Sequence, residues 1–155
     1  MATLEDTASD LAHWEGFRPF VYDDATGLPI TSGTLVQGHP TIGYGFCLDT
    51  HGLNIKEADV ILSQRIANLQ NWAAYELAAI WNKLARARQR VVLGMVYQVG
   101  ITGYRKFIAF NIALANGNYD GAARELLNSE VAKQCPRRWA WYAKMMRAGE
   151  DCPYE

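Results

Sequence analysis

Glu15, Asp23, Asp24 and Thr41 are the residues whose types and spacing invite chemistry. Hydrolysis of a glycosidic bond needs a carboxylic acid beside the bridging oxygen and a second group, across the sugar, that activates or positions water. Glu15 falls where a first helix ends. Asp23 and Asp24 close the run Phe17-Arg18-Pro19-Phe20-Val21-Tyr22, and Thr41 opens a second strand, Thr41-Ile42-Gly43-Tyr44-Gly45. A helix ending at Glu15 and a strand ending at Asp24 can bring both carboxylates to one wall of a curved sheet. Gly43 and Gly45 leave room there for a backbone or a sugar to come close. Taken singly, each residue also has an ordinary reading, since helix-end glutamates, aspartates in turns and threonines in strands are common and catalytic carboxylates are a minority.

The elements that must position these residues follow from the pattern. Residues 3–14 read as a short helix, with Thr3 as N-cap and Leu4, Ala8, Leu11 and Ala12 on one face. From Phe17 to about Phe46 the chain is rich in Gly, Pro, Thr, Tyr and Val, which predicts a small sheet of short strands with long turns. At Asn54 the texture becomes helical. Asn54 and Glu57 have capping-box spacing, and Ile55, Ala58, Ile61, Leu62, Ile66, Leu69 and Trp72 recur with a 3.6-residue period. Further helices are predicted near 75–83, 85–99, 108–116, 119–127 and 137–147, with Gly100, Gly103 and Gly117 as stops and Pro136 in the first turn of the last helix. The segment 91–99 is apolar nearly all round and reads as the central buried helix.

The expectation is therefore a single α+β domain over 1–155, mostly helical. It comprises a sheet lobe over about 14–53, a linking helix over about 54–72, and a helical lobe over about 73–155 together with the N-terminal helix. A cleft between two such lobes is a natural ligand site.

Composition narrows the function classes. The chain has 155 residues, half of them hydrophobic and 20% charged, which suits a globular domain with a real core. Its formal net charge of -1 gives no global pull toward nucleic acid or an anionic membrane. Cys47, Cys135 and Cys152 are an odd number and fit a reducing compartment better than a disulfide framework. The acidic start, MATLEDTASDLAHWEG, lacks the basic and apolar regions of a signal peptide, and the longest apolar stretch, Val91 to Val99, is far shorter than a spanning helix.

Several ordered blocks resemble one family. His13-Trp14-Glu15-Gly16-Phe17-Arg18-Pro19-Phe20-Val21-Tyr22-Asp23-Asp24 and Thr41-Ile42-Gly43-Tyr44-Gly45 resemble the first two blocks of the phage-type lysozymes, glycoside hydrolase family 24. The likeness continues through Met95-Val96-Tyr97-Gln98-Val99-Gly100, Thr102-Gly103, Asn118-Tyr119-Asp120-Gly121-Ala122-Ala123 and Pro136-Arg137-Arg138, where it is nearest to the T-even coliphage members.

The resemblance implies a lysozyme-like fold with the active site between its lobes. The implied activity is that of a muramidase, or endolysin, which cuts the β-1,4 bond between N-acetylmuramic acid and N-acetylglucosamine for host cell lysis. It implies that Glu15 protonates the leaving oxygen, that Asp24 positions or activates water, and that Thr41 helps to hold that water. Asp23, one place off, is the poorer partner. It further implies that Arg138 pairs with the catalytic Glu across the cleft and that Tyr97 and Gln98 line the saccharide groove. No cofactor or metal is implied. The partners expected are bacterial peptidoglycan and a holin that admits a monomer lacking an export signal from the host cytoplasm to the wall, with neither nucleic acid nor membrane insertion.

The chain departs from the pattern in three places. Leu28 to Pro40 is an insertion that could lengthen the hairpin or form a lip; Phe46 stands where a His follows the Gly-x-Gly; and Phe110 and Glu125 replace small or amide groups. Direct attack by water with inversion is the expected chemistry. Two other readings are a lytic transglycosylase, which lets the muramic 6-hydroxyl attack and needs neither Asp24 nor Thr41, and a wall-binding module without activity. Other candidates read as structure. His13, His39, His51 and Cys47 lack zinc spacing along the chain. Trp139 and Trp141 suit packing better than sugar contact, and Arg86, Arg88 and Arg90 suit a solvated helix face.

Overall fold

The computed structural model describes residues 3–154; the side chain of Asp6 lies outside the description. The chain is mostly helical with one three-stranded antiparallel sheet, an α+β composition. It divides into two compact units, residues 1–60 and 61–155, and the division falls inside one long helix.

The first unit begins with α1 (Leu4–Glu15), one residue longer at its end than the expected helix. Three strands follow, β1 (Arg18–Asp23), β2 (Pro40–Gly43) and β3 (Phe46–Cys47), in the order β1-β2-β3. Register is set by Arg18 opposite Gly43, Tyr22 opposite Thr41 and Asp23 opposite Pro40, with an irregularity between Arg18 and Tyr22. Residues 28–40 form most of the long connection between β1 and β2. Pro29 bridges Tyr22, Ile30 N–H donates to the Val21 carbonyl at 3.1 Å, and Asp23 N–H donates to Leu28 at 2.9 Å. Arg18 braces the turn from the side, its guanidinium 3.7 Å from the Tyr22 ring centroid and donating to the Gly27 carbonyl at 2.7 Å. Leu4 and Leu11 are exposed and Ala12 is only half-buried, so 3.6-residue periodicity here marks a helix without marking a covered face.

α2 (Ile55–Glu76) opens with the predicted capping box. Glu57 N–H donates to Asn54 Oδ1 at 3.2 Å, and Asn54 N–H donates back to the Glu57 carboxylate at 2.8 Å. The helix expected over 75–83 is instead the end of α2, a turn, and a 3-10 helix at Trp81–Lys83. That tight turn puts Trp81 into the core, and Gln89 donates to the Trp81 carbonyl at 2.8 Å.

The second unit holds every residue of the buried hydrophobic core among the described residues. Its centre is α3 (Arg86–Arg105), in which Val91, Val92, Leu93, Met95 and Val96 are buried as the apolar run predicts. Gly100 is a break and not an end: its φ of 71° and ψ of 166° interrupt the helix, which resumes to Arg105, past the expected stop at Gly103. α4 (Ile108–Ala115) and α5 (Tyr119–Leu127) follow the expected bounds closely. α6 (Glu130–Gln134) is a short helix the pattern did not mark, capped by the Ser129 hydroxyl accepting from Ala132 N–H at 3.1 Å. α7 (Pro136–Ala148) starts at the predicted proline.

Arg88 does not lie on a solvated face. It donates to the carbonyls of Met146 at 2.9 Å and Arg147 at 3.0 Å, placing its charge at the negative end of α7, and it stacks on Tyr119. Gly94 lets α3 and α7 approach closely, because a Cβ there would stand 2.2 Å from the Tyr142 hydroxyl oxygen. We expect Gly94→Ala to lower stability by about 1–2 kcal/mol in urea unfolding, since overpacking a tight contact outweighs the gain in helix propensity.

Candidate functional site

Glu15, Asp24 and Thr41 all fall in the first unit. Glu15 is the last residue of α1 and is exposed; its carboxylate rests against Gly45 in the β2–β3 turn. A Cβ at Gly45 would lie 2.6 Å from Glu15 Oε2, and Gly45 has a φ of 73°, so the turn admits the carboxylate only because that residue is glycine.

The described residues of the first unit bury only two side chains, Asp23 and Thr41, and both are polar. A buried polar group costs free energy unless it is hydrogen-bonded. Asp23 accepts from the backbone N–H groups of Gln37 at 2.7 Å, Gly38 at 3.0 Å and Ala25 at 3.0 Å. The Gln37 N–H is the main cause that holds its carboxyl below the usual value of 3.8, against the opposing effect of burial. Asp23 is thus the anchor of the β1–β2 loop, and Asp24 is the exposed carboxylate of the pair.

Asp24 is exposed and has one oxygen fixed: Oδ1 accepts from His39 N–H at 2.6 Å, while Asp24 N–H donates to the His39 carbonyl at 3.1 Å. Thr41 donates its hydroxyl to the same carbonyl at 3.2 Å, which leaves the hydroxyl lone pairs as acceptors. One backbone residue, His39, therefore holds both Asp24 and Thr41. Gly38 beside it must stay small, because a Cβ there would lie 2.1 Å from Asp24 Oδ1 and 2.7 Å from the Ala25 side chain.

Tyr97, Gln98 and Arg138 fall in the second unit. Tyr97 is exposed on α3. The Gln98 amide turns toward the start of α7: its oxygen accepts from Trp139 Nε1 at 3.1 Å and Arg138 at 3.4 Å, and its nitrogen lies 3.4 Å from Cys135 Sγ. Much of its capacity is thereby spent within the protein. Arg138 lines a pocket of about 910 Å³ with Leu62, Arg90, Trp141, Tyr142 and Tyr154. Trp139 is fully buried and stacks on Phe107, and Phe110 is also core, so neither presents a face to a ligand.

A cluster the chain order concealed lies beside the first set. His39 Nδ1 is 3.0 Å from Asp49 Oδ2, and the Cys47 thiol donates to Asp49 Oδ1 at 3.0 Å. The hydrogen bond to Asp49 raises the His39 imidazole above its ordinary value, and the Cys47 thiol, then His39, lower Asp49.

No protein-family model matches the chain, and no curated protein matches it either.

Two predictions follow from the Asp23 anchor. Because folding depresses its pKa, its contribution is present above the unfolded value near 3.8 and is lost as pH falls through the lower folded value. The protection factors of the Gln37 and Gly38 amides, taken against the intrinsic exchange rate at each pH, are therefore expected to fall as the pH drops below 3.8, ahead of those in α3. Asp23→Asn, which leaves a backbone donor facing an NH₂ group, is expected to lower the thermal midpoint at neutral pH by several degrees and to abolish that acid step.

Proposed function

We propose that the protein is a peptidoglycan hydrolase of the muramidase class, a phage-type endolysin. In this reading Glu15 protonates the leaving glycosidic oxygen while Asp24 and Thr41 hold the attacking water. The observation that supports it best is the shared hold of His39 on Asp24 and Thr41, in the same small unit that seats the Glu15 carboxylate in the β2–β3 turn. Asp24 has one oxygen fixed by a backbone donor, and Thr41 has its proton committed to a carbonyl. A water between them donates to the Asp24 carboxylate and to the Thr41 hydroxyl, which turns a lone pair outward for attack. Glycoside hydrolysis by inversion needs that acid and that water on opposite faces of the sugar.

Tyr97 offers a sugar an apolar face and a hydroxyl, and Arg138 offers charge for the carboxylates of the wall. No helix among the described residues is long and apolar enough to cross a membrane. A holin is the partner this reading requires, and a monomer is the working form.

The test is release of soluble muropeptides from purified peptidoglycan, with products read by mass spectrometry. Wild type is expected to give reducing-end products, and Glu15→Gln to fall by about 10²–10⁴-fold, the usual worth of a positioned general acid. Asp24→Asn is expected to lose activity while keeping its fold. Anhydro ends would support a transglycosylase instead, and binding without release would support a wall-binding module. Full activity of Glu15→Gln would remove the centre of the proposal.

A further inference from the structure

His39, Cys47 and Asp49 bring an imidazole nitrogen, a sulfur and a carboxylate oxygen within 4.8 Å of one another. Strand pairing builds the cluster. Thr41 lies opposite Cys47, and Leu48 N–H donates to the Pro40 carbonyl at 2.8 Å, so the residue before β2 meets the residues that end and follow β3. Nitrogen, thiolate and carboxylate are the donor set of zinc, which takes them in a tetrahedron with neighbouring donor atoms roughly 3.3–3.6 Å apart. One Asp49 oxygen, Oδ1, stands 3.1 Å from His39 Nδ1 and 3.0 Å from Cys47 Sγ, a few tenths of an ångström inside those separations. His39 and Asp49 are about half exposed, which leaves an entry path and a fourth position for water.

A separate observation points the same way. Residues 3–60 bury no apolar side chain, whereas units of this size usually need a disulfide, a metal or a large apolar contact to hold their shape. Cys47 is the one cysteine of that unit, so a disulfide within it is impossible.

We propose that His39, Cys47 and Asp49 form a zinc-class cation site that staples β2 to β3 and fixes the His39 backbone on which Asp24 and Thr41 depend. Binding displaces the Cys47 thiol proton to solvent, and the proton that His39 Nδ1 shares with Asp49 leaves as well, so that the neutral ring carries its one N–H on Nε2. The thiolate, the neutral His39 Nδ1 and one Asp49 oxygen then take three positions and water the fourth. His39 acts on the neighbouring residues as a positioning residue, through its own N–H and carbonyl.

Cobalt(II), which reports thiolate ligation by charge-transfer absorption, is the probe. It is titrated into the full chain under reducing conditions, with far-ultraviolet circular dichroism as the check on folding. One equivalent per chain is expected to produce the thiolate band. The band is expected to persist in Cys135→Ser/Cys152→Ser, to disappear in Cys47→Ser, and to need at least tenfold more cobalt in His39→Gln. Zinc is expected to raise the unfolding midpoint of wild type but not of Cys47→Ser. No band in wild type, a band that survives Cys47→Ser, or one that follows Cys135 or Cys152 would overturn the proposal. These readouts do not depend on wall hydrolysis, so the site can fail while the muramidase reading stands, and the reverse.

Discussion

The buried carboxylate of Asp23 is the interaction on which the arrangement of the first unit depends. Its oxygens collect N–H groups from Ala25, Gln37 and Gly38, and so tie the far end of the long β1–β2 connection back to the strand it left. The chain then reaches His39 in a fixed pose, and His39 spends its own N–H and carbonyl on Asp24 and Thr41. Three consecutive donors, from Gln37 to His39, are thus read by two consecutive acids. All three donors lie in the long β1–β2 connection. Gly38 has to be glycine, because a Cβ there would run into Asp24 Oδ1 and Ala25.

The two units are stabilised by different means. The second is an apolar core in which α3 is surrounded by large side chains such as Trp139, Phe110 and Met145. It is trimmed by polar devices at its edges: Arg88 at the end of α7, Gln98 at its start, and the two-point ion pair of Arg105 with Glu76. The first unit has hydrogen bonds where the second has packing. Backbone amides satisfy its buried carboxylate, a cation–π contact braces its hairpin, and a His–Cys–Asp cluster joins its two shortest strands. Such a unit loses its order when protons or ligands change, more readily than a packed core does.

Much of this was legible in the sequence, for physical reasons that differ along the chain. The capping box at Asn54 and Glu57, the buried run around Val92 and the proline at 136 are local signals, and local hydrogen bonding or sterics enforce them. The region 75–83 was misread because its apolar residues suit a helix while a 3-10 turn puts Trp81 in the core equally well. Gly100 breaks α3 without ending it, since helical residues resume on its far side. At the candidate site, the preference for Asp24 over Asp23 comes from the resemblance alone; the structure shows Asp23 buried on backbone donors and Asp24 exposed. Neither the shared role of His39 nor its meeting with Cys47 and Asp49 could be read from spacing. Strand pairing creates both, and pairing depends on register and not on distance along the chain.

In the proposed reaction, water held by Asp24 and Thr41 attacks directly while Glu15 acts as the acid. Proton nuclear magnetic resonance of a wall oligosaccharide during the first minutes of cleavage tests it most directly, because it sees the new reducing end before mutarotation scrambles it. The α-anomer is expected to appear first, the signature of inversion at a β-linked sugar. The β-anomer as first product, or an anhydro end with no anomeric proton of a free reducing sugar, would contradict it.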